Sequence, residues 1–515
     1  MGSMSEPGPG EPAQPPSYPH VFGDMTVGRR TFLRLAGASA VGAVAAACSP
    51  SPSTPSAVTS NEPAPVVAPS PSGLPAGAPN WDALRDKLSG GLLRPGNAEF
   101  AGAKRVFNTL FDGRNPVAIA KCSTPADVQS TVVAAAGRVT IAARSGGHSY
   151  AGYSLPEGGL VIDLSALSSI DFQGDQVVIG AGAKLKDVYA ALGQAGRCLP
   201  AGTCPTVGIA GLTLGGGIGV LTRKYGLTCD HLASALIVTP DGKLRTASAS
   251  SEPDLFWALR GGGGGNFGVV TSFTFDTQPA PNLTVFALRF SPGAANGVLD
   301  AWQRWVQSAP PELWTNLVLS GGSPVQIRVG GCFVGSPGEL APVLNGFVAD
   351  TGAATTSRTV RAMGYLPAMN YFSGSSNRQG WVASSRMITA PVPAEKVTGL
   401  MDGRTGMDLL IDSLGGAVSG PAKTDTAFWH RDALASVQIY APATTTNEDK
   451  AAKSVGEVAA GLAAAGAGGG YVNYIDPSLP DWKAAYYGDN AKRLQQVAQK
   501  YDPYNVFRFG QGVQA

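Results

Sequence analysis

The chain has 515 residues, 44% hydrophobic and 14% charged, long enough for two or three domains and too apolar to be disordered throughout. Its 38 basic and 36 acidic side chains leave a formal net charge of +2, with no run of Lys or Arg to meet a phosphate backbone, so charge gives no nucleic-acid partner. The 68 glycines predict many tight backbone turns, and with only four histidines and six cysteines each of those residues can be placed individually.

In chain order, Arg29 and Arg30 precede a short run of apolar and small residues that ends in Ala-Ala-Ala-Cys at Cys48. Residues 1–48 therefore read as a twin-arginine export signal, too short and too weakly apolar for a membrane span. The stretch before Met25 is rich in Pro and Gly, which makes Met25 a candidate start. Cys48 closes a segment resembling a lipoprotein cleavage site, with Ala45 where such sites usually carry Leu; a lipid anchor at Cys48 and simple cleavage beside it both stay open. Residues 49–80 are Pro/Ser/Ala-rich and predict an extended tether of ~3 Å per residue. No run of 18 apolar residues follows residue 50.

Residues 81–280 alternate a helical pattern over Pro125–Ala136 with short apolar runs, VTIAAR, GLVIDLS and QVVIGAGA, which predicts an α+β domain. Between these runs lie glycine clusters at Gly146, Gly202–Gly219 and Gly261–Gly268, where backbone can come close to a cofactor. The pattern changes over residues 281–461 to strands such as LTVFALRF, LWTNLVLS, PVQIRVGGCFVG and LASVQIYA with helices between them, a separate unit. Residues 462–515 carry an amphipathic helix around Asn490–Tyr501.

GGGNFG at Gly263–Gly268 fits GxGxxG, but a helical pattern precedes it and a strand follows, the reverse of the dinucleotide-binding order. The chain has no P-loop, HExxH, paired CxxC or GxSxG, and its scattered histidines predict no metal site. Two segments remain, RSGGHSYAG with His148 and PAGTCPTVGIAGLTLGGGIG with Cys204. A glycine turn after a strand can offer successive N–H groups to a pyrophosphate. A lone loop histidine or a lone buried cysteine is usually structural; the two together on separate glycine loops point to a cofactor.

The set SGGHSYAG, GTCPTVGIAG, LTLGGGIGVLTRKYGLTCDHL, DLFWALRGGGGGNFGVVTSFTF, YVNYID and DPYNVF resembles the berberine-bridge-enzyme-like branch of the vanillyl-alcohol-oxidase flavoproteins, from Trp81 to about Gly512. The resemblance implies an α+β fold: a PCMH-type FAD-binding domain of two α/β subdomains, and a substrate domain with an antiparallel sheet covered by helices. It also implies a C-terminal segment that returns to the FAD domain. His148 would bond the flavin 8α-methyl carbon and Cys204 ring carbon 6, giving bicovalent FAD. Arg144, Ser145, Gly146, Gly147, Ser149 and Gly152 would join His148 around the cofactor. Gly202, Val207, Gly208, Gly211, Gly216, Gly217 and Gly219 would do so beside Cys204. Asp230, Gly268, Val269, Val270 and Asn505 complete the expected cofactor set.

The family's base is often a tyrosine, which assigns catalysis to Tyr471 with Tyr150 near it. Gln438 takes the position where berberine bridge enzymes carry a carboxylate base; glutamine cannot accept that proton, so oxidation of an alcohol or hemiacetal is expected instead of ring closure. His430 reads as structural. In relatives a small valine at the position of Val207 leaves room for oxygen where leucine tends to block it, so the resemblance implies an oxidase that makes hydrogen peroxide from O2. The expected substrate is a sugar, aromatic or secondary-metabolite alcohol. Two competing readings are a flavin dehydrogenase with another acceptor and a non-catalytic exported solute-binding protein. Cys122, Cys198, Cys229 and Cys332 leave three disulfide pairings open.

Overall fold

The computed structural model describes residues 77–515; the export signal, Cys48 and nearly all of the tether lie outside them. Thr124 and Pro125 start the helix Pro125–Ala135. Thr124 Oγ1 accepts the Asp127 N–H at 3.1 Å while the Asp127 carboxylate accepts the Thr124 N–H at 3.0 Å, and proline occupies the first turn where no N–H is needed. Val128, Val132 and Ala135 of this helix are buried in the core that the apolar strands beneath it also enter. The strands Ala118–Lys121, Leu160–Asp163 and Ile141–Arg144 run parallel in that order, with Leu92–Leu93 antiparallel on the outer side. Ile141–Arg144 is the edge strand, so its end delivers the chain straight into the SGGH loop.

A second, antiparallel sheet takes the order Ile170–Gln173, Gln176–Gly180, Val269–Asp276, Leu232–Val238, Leu244–Ser248, and a short pair joins Arg197–Cys198 to Gln278–Pro279. The segment 471–513 packs into this same core through Tyr487, Leu494, Val497, Phe507 and Val513. It is tied down at the Gly261–Gly268 run, where Asn266 Oδ1 accepts the Val513 N–H at 3.0 Å and Tyr487 donates to the Gly262 carbonyl at 3.1 Å.

The remaining sheet has seven antiparallel strands in the order Thr355–Met363, Leu283–Phe290, Gln326–Val334, Leu313–Ser320, Asp408–Ser413, Ala435–Pro442, Trp381–Ile388. Alternation along the strands divides its faces. Phe286, Leu317, Ile411 and Val437 point into a core shared with the helices Ala295–Ser308, Ala394–Met401 and Glu448–Ala464. Asn316, Asp412, Gln438 and Tyr440 point the opposite way, into a cavity against the first half of the chain. Cys122, Cys198, Cys229 and Cys332 are buried and unbonded, so none of the three disulfide pairings forms. Each packs as a small apolar residue; burial pushes the Cys122 and Cys198 thiols up to about 12.

Candidate active site

The two glycine loops meet backbone to backbone. A Cβ on Gly146 would stand 2.2 Å from the Gly208 nitrogen, and one on Gly208 would stand 2.0 Å from Ser145 Oγ and 2.3 Å from the Gly146 nitrogen. Only hydrogen fits at either position, and this contact brings His148 and Cys204 onto one wall. His148 Nε2 is 2.9 Å from Thr206 Oγ1, and Cys204 Sγ is 3.5 Å from the same oxygen. The imidazole stacks on Phe107 with ring centroids 4.0 Å apart. Burial, with Lys184 adding to it, lowers its pKa to about 4, so the ring is neutral at physiological pH.

Both residues line a cavity of about 610 Å³ between the first half of the chain and the polar face of the seven-stranded sheet. That volume lies within the ~300–1,000 Å³ of ordinary ligand pockets. Ile141, Ala142 and Ala143 of the edge strand, Val270 and the Gly263–Asn266 turn are part of its lining, a stretch bordered largely by backbone. Gly147, at φ 70°, and Gly152, at φ 68°, bend the loop after this strand around it. A long, flat cofactor fits this shape, and the Ser145–Ser149 loop with His148 and Cys204 would hold it.

Of the expected cofactor residues, Ser145, Gly146, Gly147, His148, Ser149 and Gly152 line the cavity, as do Gly202, Cys204, Val207, Gly208, Gly211, Gly219, Gly268 and Val270. Six do not. Arg144 is buried against Asp163 at 2.5 Å and the Ala103 carbonyl at 2.7 Å, a fastener between strands. Asp230 takes both guanidinium nitrogens of Arg431 at 2.7 and 2.8 Å. Gly216 is covered by Phe428, and Gly217 sits behind Tyr471, to whose hydroxyl its N–H donates at 3.0 Å. Val269 is paired inside the five-stranded sheet, and Asn505 supplies a left-handed turn after the helix Asn490–Tyr501. None of the six is part of the cavity lining.

Toward the seven-stranded sheet the cavity holds Tyr150, Tyr471 and Gln438. Gln438 Nε2 donates to the Tyr150 hydroxyl at 2.7 Å. The Tyr471 hydroxyl accepts from Gly217 N–H and from Asn473 Nδ2 at 2.8 Å. These two donors favour the phenolate, yet burial outweighs them and holds the phenol well above its ordinary range.

Residue-type reasoning passed over the groups that complete this side. Tyr474, the second tyrosine of YVNYID, stacks on Tyr150 with centroids 5.4 Å apart and meets Tyr471 edge-on at 5.0 Å. Asp412 projects from the Asp408–Ser413 strand and accepts from Asn316 Nδ2 at 2.6 Å. Burial raises its carboxyl to about 6, and its charge adds to the upward shifts of Tyr150 and Tyr474. Trp381 and Tyr440 form an aromatic wall with centroids 6.2 Å apart. Asn108 fixes Trp381 by bonding both its backbone carbonyl, at 2.9 Å, and its backbone N–H, at 3.4 Å, next to the Phe107 that carries His148. DLLIDS has no clean alternation of polar and apolar residues, so no hydropathy signal singled out Asp412. His430 is buried outside the cavity.

The chain matches the family model for an FAD binding domain over residues 116–248 and that for berberine and berberine-like proteins over residues 470–514. It is 34% identical over 443 residues to the FAD-linked oxidoreductase YgaK of Bacillus subtilis, covering 83% of this chain and 98% of that one. It is 33% identical over 436 residues to the chitooligosaccharide oxidase of Gibberella zeae, covering 77% and 87%. Among solved structures, BBE-like 1 of Physcomitrella patens superposes with a TM-score of 0.79 at 29% identity, over 84% of this chain and 98% of that one. With the two loops, the returning C-terminal segment and the cavity between two sheets all in place, the chain belongs to the berberine-bridge-enzyme-like FAD-linked oxidoreductases of the PCMH-type FAD-binding superfamily.

Proposed function

We propose that the protein is a carbohydrate oxidase that removes hydride from a CH–OH group of a sugar and passes the electrons to O2, giving hydrogen peroxide, with FAD attached through both His148 and Cys204. The observation that carries this reading is Asp412: a buried carboxyl near pKa 6, set among aromatic rings and hydrogen-bonding side chains, is a proton acceptor poised for an alcohol at neutral pH. The Gibberella zeae relative, a chitooligosaccharide oxidase, supports the sugar as substrate. Trp381 and Tyr440 offer flat faces for a sugar ring, while Gln438, Asn316 and Asp408 offer polar edges for its hydroxyls.

FAD, when bound, supplies the two-electron acceptor for the hydride from the carbinol carbon. The chain supplies the proton path. Tyr150 and Tyr474 are neutral phenols at pH 7 and orient the hydroxyl, and the hydroxyl proton ends on Asp412. Gln438 holds Tyr150 in position by its 2.7 Å hydrogen bond. His148 and Cys204 hold the cofactor on one wall, and Val207 lines the cavity three residues beyond Cys204, leaving space for O2. The paired arginines and small-residue run of residues 28–48 support export by the twin-arginine route, with Cys48 as the place of a lipid anchor if one is added.

The test is a panel of reducing mono- and oligosaccharides with oxygen uptake and peroxide as readouts, on protein whose flavin has been counted. Turnover with a sugar and stoichiometric peroxide is expected. A flavin that sugars reduce but O2 does not reoxidise would make the protein a dehydrogenase. Acid precipitation should leave yellow colour in the pellet; colour released wholly into the supernatant would end the covalent reading.

A further inference from the structure

Thr206 lies between the two proposed attachment residues yet does not itself line the cavity. One hydroxyl oxygen serves both, at 2.9 Å from His148 Nε2 and 3.5 Å from Cys204 Sγ. A hydroxyl has one proton to give. The His148 ring is neutral, so it carries one proton on one of its two nitrogens. With the hydroxyl proton kept inside the row of three groups, two arrangements are available. Either the thiol donates to the hydroxyl and the hydroxyl to Nε2, or Nε2–H donates to the hydroxyl and the hydroxyl to sulfur.

We propose that Thr206 enforces the second arrangement and is thereby the positioning residue for both flavin attachments; this rests on the bicovalent reading above. With the proton on Nε2, Nδ1 keeps its lone pair; the ring's hydrogen bond among the described residues runs through Nε2, and the ring borders the cavity. Partnering one ring nitrogen is the ordinary way a protein fixes the tautomer and so chooses which nitrogen is the nucleophile. The same hydroxyl, turned toward sulfur, donates to the atom that must be the second nucleophile and so orients it. Phe107 stacked on the ring and the Gly146–Gly208 contact keep the three groups in register. No proton is transferred in this arrangement; it sets which lone pairs face the cavity before either bond forms. Thr206 follows Cys204 by two residues and is far from His148 in sequence, so one side chain couples two separate loops.

The experiment compares Thr206→Val, which keeps the shape and removes the hydroxyl, with Thr206→Ser, which keeps the hydroxyl. Full-length protein of each is digested, and the share of His148 and Cys204 peptides carrying flavin is measured by mass, with total flavin and the melting temperature recorded alongside. At least a tenfold fall in flavin-bearing peptides is expected in Thr206→Val, and a share within twofold of the parent in Thr206→Ser. Parent-like attachment in Thr206→Val overturns the proposal. So does equal loss in both variants, because packing and not the hydroxyl would then be the cause; should the valine variant not fold, a depleted serine variant alone has the same force. Flavin absent from both peptides of the unaltered protein is a different failure, that of the bicovalent reading itself.

Discussion

Burial sets the Asp412 carboxyl at about 6, and the ionised form is the one that can take a proton. Turnover is therefore expected to rise with pH through about 6. Asp412→Asn should lower kcat by ~10²–10⁴-fold and erase that limb while flavin content stays unchanged; a limb that survives the substitution belongs to another group. The same shift works against stability. The folded chain holds this proton up to about pH 6, whereas the unfolded chain releases it near ~4. The buried charge thus destabilises the fold fully above pH 6, and the penalty fades as pH falls toward 4. Asp412→Asn should accordingly melt higher than the parent at pH 7.5, with a gain that shrinks in melts taken toward pH 4. The two tyrosines of YVNYID divide differently. Tyr471 spends its hydroxyl on Gly217 and Asn473, so Tyr471→Phe leaves the buried Gly217 N–H unpaired and removes one of the two bonds of Asn473 Nδ2, which keeps Leu212; it costs ~1–3 kcal/mol read as a lower melting temperature, and changes kcat modestly. Tyr474→Phe should leave stability nearly unchanged and cut kcat by ~10²-fold or more. The reverse ranking in stopped-flow flavin reduction would return the catalytic role to Tyr471.

At the scale of elements, the glycine loops are the least tolerant part of the site. A Cβ on Gly208 lands 2.0 Å from Ser145 Oγ and 2.3 Å from backbone, so Gly208→Ala must separate the loops; protein that retains less than a tenth of the parent's flavin is the expected result of a simple absorbance ratio. These loops were legible because glycine, histidine and cysteine are informative residue types wherever they occur. The sheet behind the substrate was half legible. LTVFALRF and LWTNLVLS show themselves by apolar runs, whereas Thr355–Met363 is an exposed polar edge and Trp381–Ile388 buries Ser384, Ser385 and Arg386 in its middle. Asp408–Ser413 turns its acids toward the cavity and its leucines and isoleucine partly toward the helices, so hydropathy alone gives it no clear period. Asp412 was invisible for that reason: its chemistry comes from burial, and burial comes from strand order. The resemblance placed Arg144 and Asp230 with the cofactor, and in the fold their charges meet Asp163, 19 residues on, and Arg431, 201 residues on.

For the whole molecule, oxygen use and assembly are the two questions the architecture frames. Val207 lies on the cavity surface beside Cys204, so Val207→Leu should slow reoxidation by O2 by about tenfold or more while leaving sugar-driven flavin reduction within a few-fold, both followed by stopped-flow absorbance. An equal drop in both half-reactions would mean that the leucine crowds the substrate and not the gas. The bonds of Tyr487 to Gly262 and of Val513 to Asn266, 225 and 247 residues earlier, carry a consequence for how the protein comes into being on the ribosome. The first two sheets appear early, but the slot they border stays open on one side until the seven-stranded unit has been made and the segment after it has swung back across. Cofactor capture is then a late event, coupled to closure, and a chain stopped between residues 461 and 471 should emerge colourless however much FAD the cell provides.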